Sequence, residues 1–359
     1  MGKITTTIWD IEPHTEAKHA ILRKYLDAWI PILSSWAKNV NIIDGFSGPG
    51  EYNGKEDGSP VIAIKSVAEQ RIPIASKIFF LFIEKDKDRY DFLQNKLKTI
   101  SIPKNVSYAC ICGEFSDVIE NELNKLNEKN KSIAPTFVFI DPFGFKDTPF
   151  EVINKIMKND FCEILITFMY EEINRFIDDT RLEQTYIKLF GNEKWKDARG
   201  KSPEERFKII HDSYLGQLST VANFVHSFKM KNKSNKDDYL LFFATKSLLG
   251  LERMKEAMWR VDKKGNFEFS DATYNPNQTV LFELGPNFSE LKKMILKEYK
   301  GKRVTAKKLE HFVIAKTPFT TFHYKTSILK PMEEKREIQV LGHRKRKFSY
   351  PDGVTIEFL

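Results

Sequence analysis

The stretch Val40-Asn41-Ile42-Ile43-Asp44-Gly45-Phe46-Ser47-Gly48-Pro49-Gly50 constrains this chain more than any other. A short apolar run ends in an acid and then in three glycines. Such a run reads as a buried parallel strand feeding a sharp turn. Gly45, Gly48 and Gly50 carry no Cβ, so the turn can take positive φ and the backbone can approach a ligand closely. A dinucleotide fingerprint would be G-x-G-x-x-G, with its acid about 20 residues further on. Here the order is D-x-x-x-G-x-G, with the acid at the strand end. A dinucleotide loop, a loop for a different cofactor and a plain Gly-rich turn all remain open at this point.

The rest of the chain repeats the strand–helix alternation that such a turn begins. Residues 16–30 carry Ile21, Leu22, Tyr25, Leu26 and Trp29 at helical spacing, and Ile32, Leu33 and Trp36 extend the pattern past Pro31. Lys18 and His19 stand at the start of that helix. They read either as a pair facing the later turn or as a solvated Lys and a capping His. Ser59-Pro60 opens a helix, with Ser at the N-cap and Pro at the first position. Its free N–H groups would make an anion-friendly end. Strands are predicted over residues 77–83, 106–112, 136–140, 163–169, 221–228 and 239–245. Helices are predicted over 86–98, 116–130 and 250–259, and a charged helical insertion over about 171–218. The basic stretch 229–236 reads as a hairpin tip. This is an α/β chain with a mostly parallel sheet and helices on both faces.

Chemistry-bearing residues fall at the ends of these strands. Glu84 ends the second strand, where a carboxylate suits ribose hydroxyls because it accepts two hydrogen bonds. Glu114 and Phe115 follow the third. Asp141-Pro142-Phe143-Gly144 follows the fourth. Its Pro and aromatic ring can stack a flat base, although D-P also marks ordinary turns.

Charge divides the chain. Residues 287–359 hold 17 Lys and Arg against 8 Asp and Glu, an excess of nine, whereas the remainder holds 40 against 41. Localised basic excess is the footprint of a polyanion-binding module. This tail reads as three short helices and a β-hairpin, with strands at 338–341 and 348–350 joined by the tip Gly342-His343-Arg344-Lys345-Arg346-Lys347. That is a winged helix-turn-helix, whose third helix, carrying Lys325, would enter a groove while Arg344, Lys345, Arg346 and Lys347 meet phosphates. A wing used for protein contact is the alternative. The expected domains are residues 1–285 and 286–359.

Cys110, Cys112 and Cys162 are too few for a structural zinc site and read as buried thiols of a reducing cytosol. No metal site is expected. No apolar span of about 18 residues exists, so no membrane helix is expected and the location is read as cytoplasmic.

Together, Asp44-Gly45-Phe46-Ser47-Gly48-Pro49-Gly50, Gly58-Ser59-Pro60 and Asp141-Pro142-Phe143-Gly144-Phe145 resemble the three-Cys-motif partner (TcmP) proteins over essentially the whole chain. The first motif is similar to that of Rossmann-like methyltransferases, which bind S-adenosylmethionine (SAM). The resemblance implies a class I methyltransferase domain with a C-terminal winged helix. It also implies a cysteine-rich three-Cys-motif partner and SAM as cofactor. SAM contacts would come from Lys18, His19, Asp44, Gly45, Phe46, Ser47, Gly48, Gly50, Ser59, Glu84, Glu114 and Phe115. Ribosomal-RNA adenine methyltransferases similarly carry a Lys-His pair before the first motif. Amine methyltransferases usually carry D/N-P-P-Y/F as the fourth motif. Here Phe143 replaces the second Pro, as in transfer-RNA guanine methyltransferases. The implied activity is methylation of an exocyclic amine of a nucleic-acid base, with Asp141, Pro142, Phe143 and Gly144 catalytic. The rival reading is a SAM-binding adaptor that positions another enzyme on nucleic acid.

Overall fold

The protein is described here from a computed structural model covering residues 6–129, 131–262, 265–272 and 286–359. Its elements follow in chain order. The first half runs α1 (Pro13–Ser34), β1 (Asn39–Asp44), α2 (Ser59–Ala68), β2 (Lys77–Glu84), α3 (Lys87–Lys98), β3 (Val106–Cys112), α4 (Phe115–Glu128), β4 (Thr136–Ile140), α5 (Phe150–Met157) and β5 (Cys162–Phe168). A helical insertion follows with α6 (Tyr170–Phe176), α7 (Glu183–Phe190) and α8 (Pro203–Leu218). Then come β6 (Phe224–Lys231), β7 (Asp237–Thr245), α9 (Leu248–Trp259) and β8 (Glu268–Ser270). The C-terminal unit holds α10 (Phe288–Tyr299), β9 (Arg303–Thr305), α11 (Ala306–Lys316), α12 (Thr321–Tyr324), a π turn at Lys325–Leu329, α13 (Lys330–Glu334), β10 (Ile338–Leu341) and β11 (Thr355–Phe358).

The large sheet has the order β3-β2-β1-β4-β5-β7-β6-β8. Strands β3, β2, β1, β4 and β5 are parallel, and β7 runs antiparallel to both β5 and β6. Side chains alternate across it with period two. Val40, Ile42, Phe80, Phe137, Phe139, Leu241 and Phe243 pack with α1, α2, α3 and α9 on one face. Ile43, Leu81, Val138, Ile140, Leu240 and Phe242 pack with α4, α5, α7 and α8 on the other. Both faces are therefore covered, which is why these strands read as continuous apolar runs. The chain reverses its direction of strand addition between β1 and β4, and ligands bind at such a switch point beyond the carboxyl ends of the strands.

The C-terminal unit has its own apolar core, built from Leu291, Ile295, Leu309, Val313, Ile328, Leu329 and Ile356 among others. It is fastened to α9. The Trp259 indole donates to the Pro318 carbonyl at 3.0 Å. The buried Lys255 ammonium donates to the carbonyls of Ile314, Thr317 and Phe319 at the end of α11. Burial pulls Lys255 down to about 7. Its three acceptors call for all three N–H donors of the charged form, at a helix end where a cation is favoured. The expected domain boundary at 285/286 adjoins residues 273–285, which lie outside the described residues.

Several sequence expectations are corrected. Gly58, not Ser59, caps α2. The second strand of the tail hairpin is β11, not residues 348–350. Tyr350 is buried with its hydroxyl on Glu333, and pairing with β10 begins only at Thr355. A third strand, β9, completes the small sheet in the order β10-β11-β9. Of the cysteines only Cys162 is buried. Cys110 is half-buried and Cys112 exposed, because β3 is the sheet edge.

Candidate functional site

The turn after β1 is held by backbone bonds to two neighbouring strands, β4 and β2, and by one bond within the loop. Gly45 N–H donates to Phe139 O, Ser47 N–H to Ile83 O, and Gly58 N–H to Gly50 O, each at 2.9 Å. Gly48 and Gly50 take φ of +57° and +80°, the left-handed region that glycine enters without strain. The two differ in what surrounds them. A Cβ on Gly50 would stand 2.7 Å from a Leu93 methyl, whereas one on Gly48 would meet only the Trp9 ring, at 3.8 Å. Gly50 is thus required by backbone conformation and by packing, Gly48 by backbone conformation alone.

Glu84 is buried and its carboxylate accepts from Gly48 N–H and Asp86 N–H, both at 2.8 Å. It ties the first turn to the second. A carboxylate has about four acceptor positions, so capacity remains for a ligand hydroxyl. Asp44 lies beneath the turn. Its Oδ1 accepts from Phe46 N–H at 3.3 Å, and Oδ2 has no partner among the described residues. Burial, with Asp141 and Glu84 nearby, pushes its carboxyl up to about 7.

Lys18 and His19 are both buried, so the solvated-pair reading fails. Lys18 is not free to reach a cofactor. Its ammonium donates to both oxygens of Asp141 at 2.7 and 2.6 Å and lies 5.1 Å from the Tyr239 ring centroid. With side chains only 7% and 21% exposed, the pair fixes the direction of the Asp141 carboxylate. His19 is held neutral, its value pulled down to about 3 by burial and then by Lys18. Its Nδ1 has no partner among the described residues.

These groups surround one cleft made of two cavities that meet at Phe46 and Phe143. The first, of about 440 Å³, is lined by Lys18, His19, Ser47, Gly48, Gly50, Ser59, Asp141 and Pro142. The second, of about 630 Å³, is lined by Gly45, Glu84, Glu114, Phe115 and Gly144. Every predicted cofactor and catalytic residue except the submerged Asp44 therefore borders the cleft. Sequence reasoning missed Trp9, Tyr52, Arg89, Thr167 and Tyr239, which border it too. Each lies outside the Gly and Asp-Pro motifs, and only folding brings it there.

The tail residues lie differently. Lys345, Arg346 and Lys347 are exposed. Arg344 is committed to Glu333 and Lys325 to Glu310, so neither is the free cation expected. Among the described residues no cluster of His, Cys, Asp or Glu could hold a metal, and no helix is long and apolar enough to cross a membrane.

The strand order β3-β2-β1-β4-β5-β7-β6, with β7 antiparallel, is that of the Rossmann-like methyltransferase fold. No protein-family model matches the chain, and no curated protein matches it. Solved structures overlap it in part. Trm1 from Pyrococcus horikoshii, in complex with S-adenosyl-L-methionine, is 12% identical at a TM-score of 0.35, over 99% of this chain and 93% of that one. Human methyltransferase-like protein 13, in complex with SAH, is 9% identical at 0.38, over 77% and 99%. A putative methyltransferase from Porphyromonas gingivalis W83 is 9% identical at 0.30 over 63% of this chain, which spans only 40% of that protein. The fold assignment rests on the strand order rather than on these overlaps.

Proposed function

We propose that this protein is a SAM-dependent methyltransferase acting on an exocyclic amine of a nucleic-acid base. One observation carries the reading: the glycine turn after β1 and the Lys18-held Asp141-Pro142-Phe143 segment after β4 face a single cleft at the switch point. The residues fit the cofactor. Gly48 leaves its side of the cleft open, and Glu84 keeps acceptor capacity beside Glu114 and Phe115. Gly45, Phe46, Glu84, Glu114 and Phe115 would hold the adenosyl part, and Ser47, Gly48 and Gly50 the amino-acid end. When bound, SAM supplies an electrophilic methyl group.

The chain supplies positioning. Asp141 accepts a hydrogen bond from an acceptor N–H, which turns the amine lone pair toward the cleft. Lys18 fixes the direction of that carboxylate, beside a neutral His19. Phe143, 44% exposed at the junction of the two cavities, offers a face for a flat base that has left its stack. Much of the acceleration then comes from orientation.

The C-terminal unit is read as a winged helix, with Lys345, Arg346 and Lys347 as its phosphate-contacting tip. A cysteine-rich three-Cys-motif protein is the proposed partner. The test is methyl transfer from labelled SAM to total cellular DNA and RNA, beside calorimetric titration with SAM. Label in either nucleic acid is expected. An absence of SAM binding overturns the reading, and SAM binding without label in either pool favours a positioning role.

A further inference from the structure

The cavity in front of Asp141 has walls that the methyl-transfer reading does not use. One is Trp9, in the segment before α1. Asn53 clips that segment down: its N–H donates to the Trp9 carbonyl at 3.0 Å and its side-chain amide to Asp10 at 2.9 Å. The Trp9 ring then stands edge-on to Phe143 and to Tyr52, with centroids 5.4 and 5.7 Å apart. The Arg89 guanidinium lies 5.1 Å from the Trp9 centroid and 5.0 Å from that of Phe143, bracing both rings.

A further part of the lining comes from the β6–β7 hairpin. Two of its four lysines are engaged, Lys229 near Asp237 and Lys231 with Glu268. Lys233 lines the cavity, is exposed, and has no carboxylate partner among the described residues. Thr167 and His19 also border the cavity, and Thr167 Oγ1 and His19 Nδ1 have no partner among the described residues. Buried polar atoms are normally paired, so such a pair points to a polar occupant. Charge sets its orientation. Asp10 and Glu12 line the Trp9 side, so an anion is favoured only toward Lys233.

Aromatic walls, unpartnered polar atoms and a free cation at one rim fit a flat heteroaromatic ring with an anion attached. We infer that this cavity is a nucleotide slot: the acceptor base lies against Trp9 and the phosphate next to it meets Lys233. The inference rests on the methyltransferase reading and adds to it that the acceptor is gripped as a nucleotide, at the cleft itself, independently of the C-terminal tip.

The test uses the full chain and a mixed-sequence single-stranded oligonucleotide. Binding is followed by anisotropy and methyl transfer by label, and SAM affinity is titrated separately. Trp9→Ala should weaken oligonucleotide binding about 10- to 100-fold, the scale of one lost stacking platform. That loss should be the same at all salt concentrations, and Trp9→Phe should recover most of it. Lys233→Ala should make the slope of log affinity against log salt shallower by about 0.7, one phosphate on a single strand. Neither change should move SAM affinity. Wild-type binding with both variants indistinguishable from it overturns the slot, as does an oligonucleotide that does not bind at all. A wild type that binds the oligonucleotide in this pattern yet transfers no methyl overturns the enzymatic reading and leaves the slot standing.

Discussion

The cleft and the C-terminal tip both depend on charge, and they use it in opposite ways. In the cleft the Lys18–Asp141 pair and the Asp44 carboxyl are withdrawn from water and fixed by neighbours. At the tip Lys345, Arg346 and Lys347 stand in solvent on flexible stems. A buried charge is strongly felt and points in one direction, so it suits the orientation of a reacting group. An exposed charge is screened and adaptable, so it suits sequence-independent grip on phosphates. The contrast predicts that the cleft responds to pH and to single-atom changes, whereas the tip responds to salt.

The largest expected effect is on stability through Asp44. Its folded value of about 7 lies above the ordinary carboxylate value near 3.9. Between roughly pH 4 and 7 the folded chain keeps a proton that the unfolded chain releases, so this group's contribution falls as pH rises and is level above 7. Asp44→Asn removes that fall. The variant should gain on the wild type across this window, reaching about 4 kcal/mol once the pH passes the folded value. His19 has the opposite sign: held down to about 3, it makes stability rise with pH over roughly 3 to 6.5. The wild-type profile is therefore flatter than either group alone would make it. Urea unfolding of both proteins from pH 4.5 to 8 measures the gap, and a gap independent of pH would break the picture of a withdrawn carboxyl.

Next comes chemistry. Asp141→Ala should reduce methyl transfer by more than about 100-fold while leaving SAM affinity largely intact, since orientation rather than cofactor binding is lost. Single-turnover transfer beside calorimetry reads both quantities. Retained activity would reduce Asp141-Pro142 to a turn. A smaller effect belongs to Gly48→Val, which puts a branched side chain at φ +57° into the cleft. SAM affinity should fall about tenfold or more in a folded variant. Unchanged affinity would remove the cofactor assignment from this turn.

The tip sharpens the comparison most gently. Replacing Lys345, Arg346 and Lys347 by Ala should make the salt slope shallower by about 2, on the view that two or three of them engage phosphates. Arg344→Ala should barely change that slope, because Glu333 already holds the guanidinium. Equal slopes for the triple variant and the wild type, with loss of a protein partner in a pull-down, would turn the tip into a protein-docking element.

Much of this architecture could be read before folding. The strands of the parallel sheet announce themselves because both faces are buried, and α1 continues through Pro31 as its apolar spacing requires. Glu84 and Asp141 were legible as strand-end acids. Their partners were not. Lys18 precedes Asp141 by 123 residues, and nothing local distinguishes an ammonium aimed at a carboxylate from one in solvent. Trp9 is a lone aromatic until Asn53 ties its segment to the cleft's lining. Cys112 looked buried by alternation, and only its position on the edge strand exposes it.

The sequence by itself determined the five parallel strands, the glycine turn, the acids at the strand ends and the concentration of positive charge in the last fifth of the chain. These are properties of period, residue type and composition, which act over a few residues. The tertiary structure decided which charges are spent and which are free. Arg344 and Arg346 are two residues apart in one basic run, yet one is held by Glu333 and the other faces water. Such a difference depends on what folding brings alongside, and an ion pair between distant residues leaves no local trace in the chain.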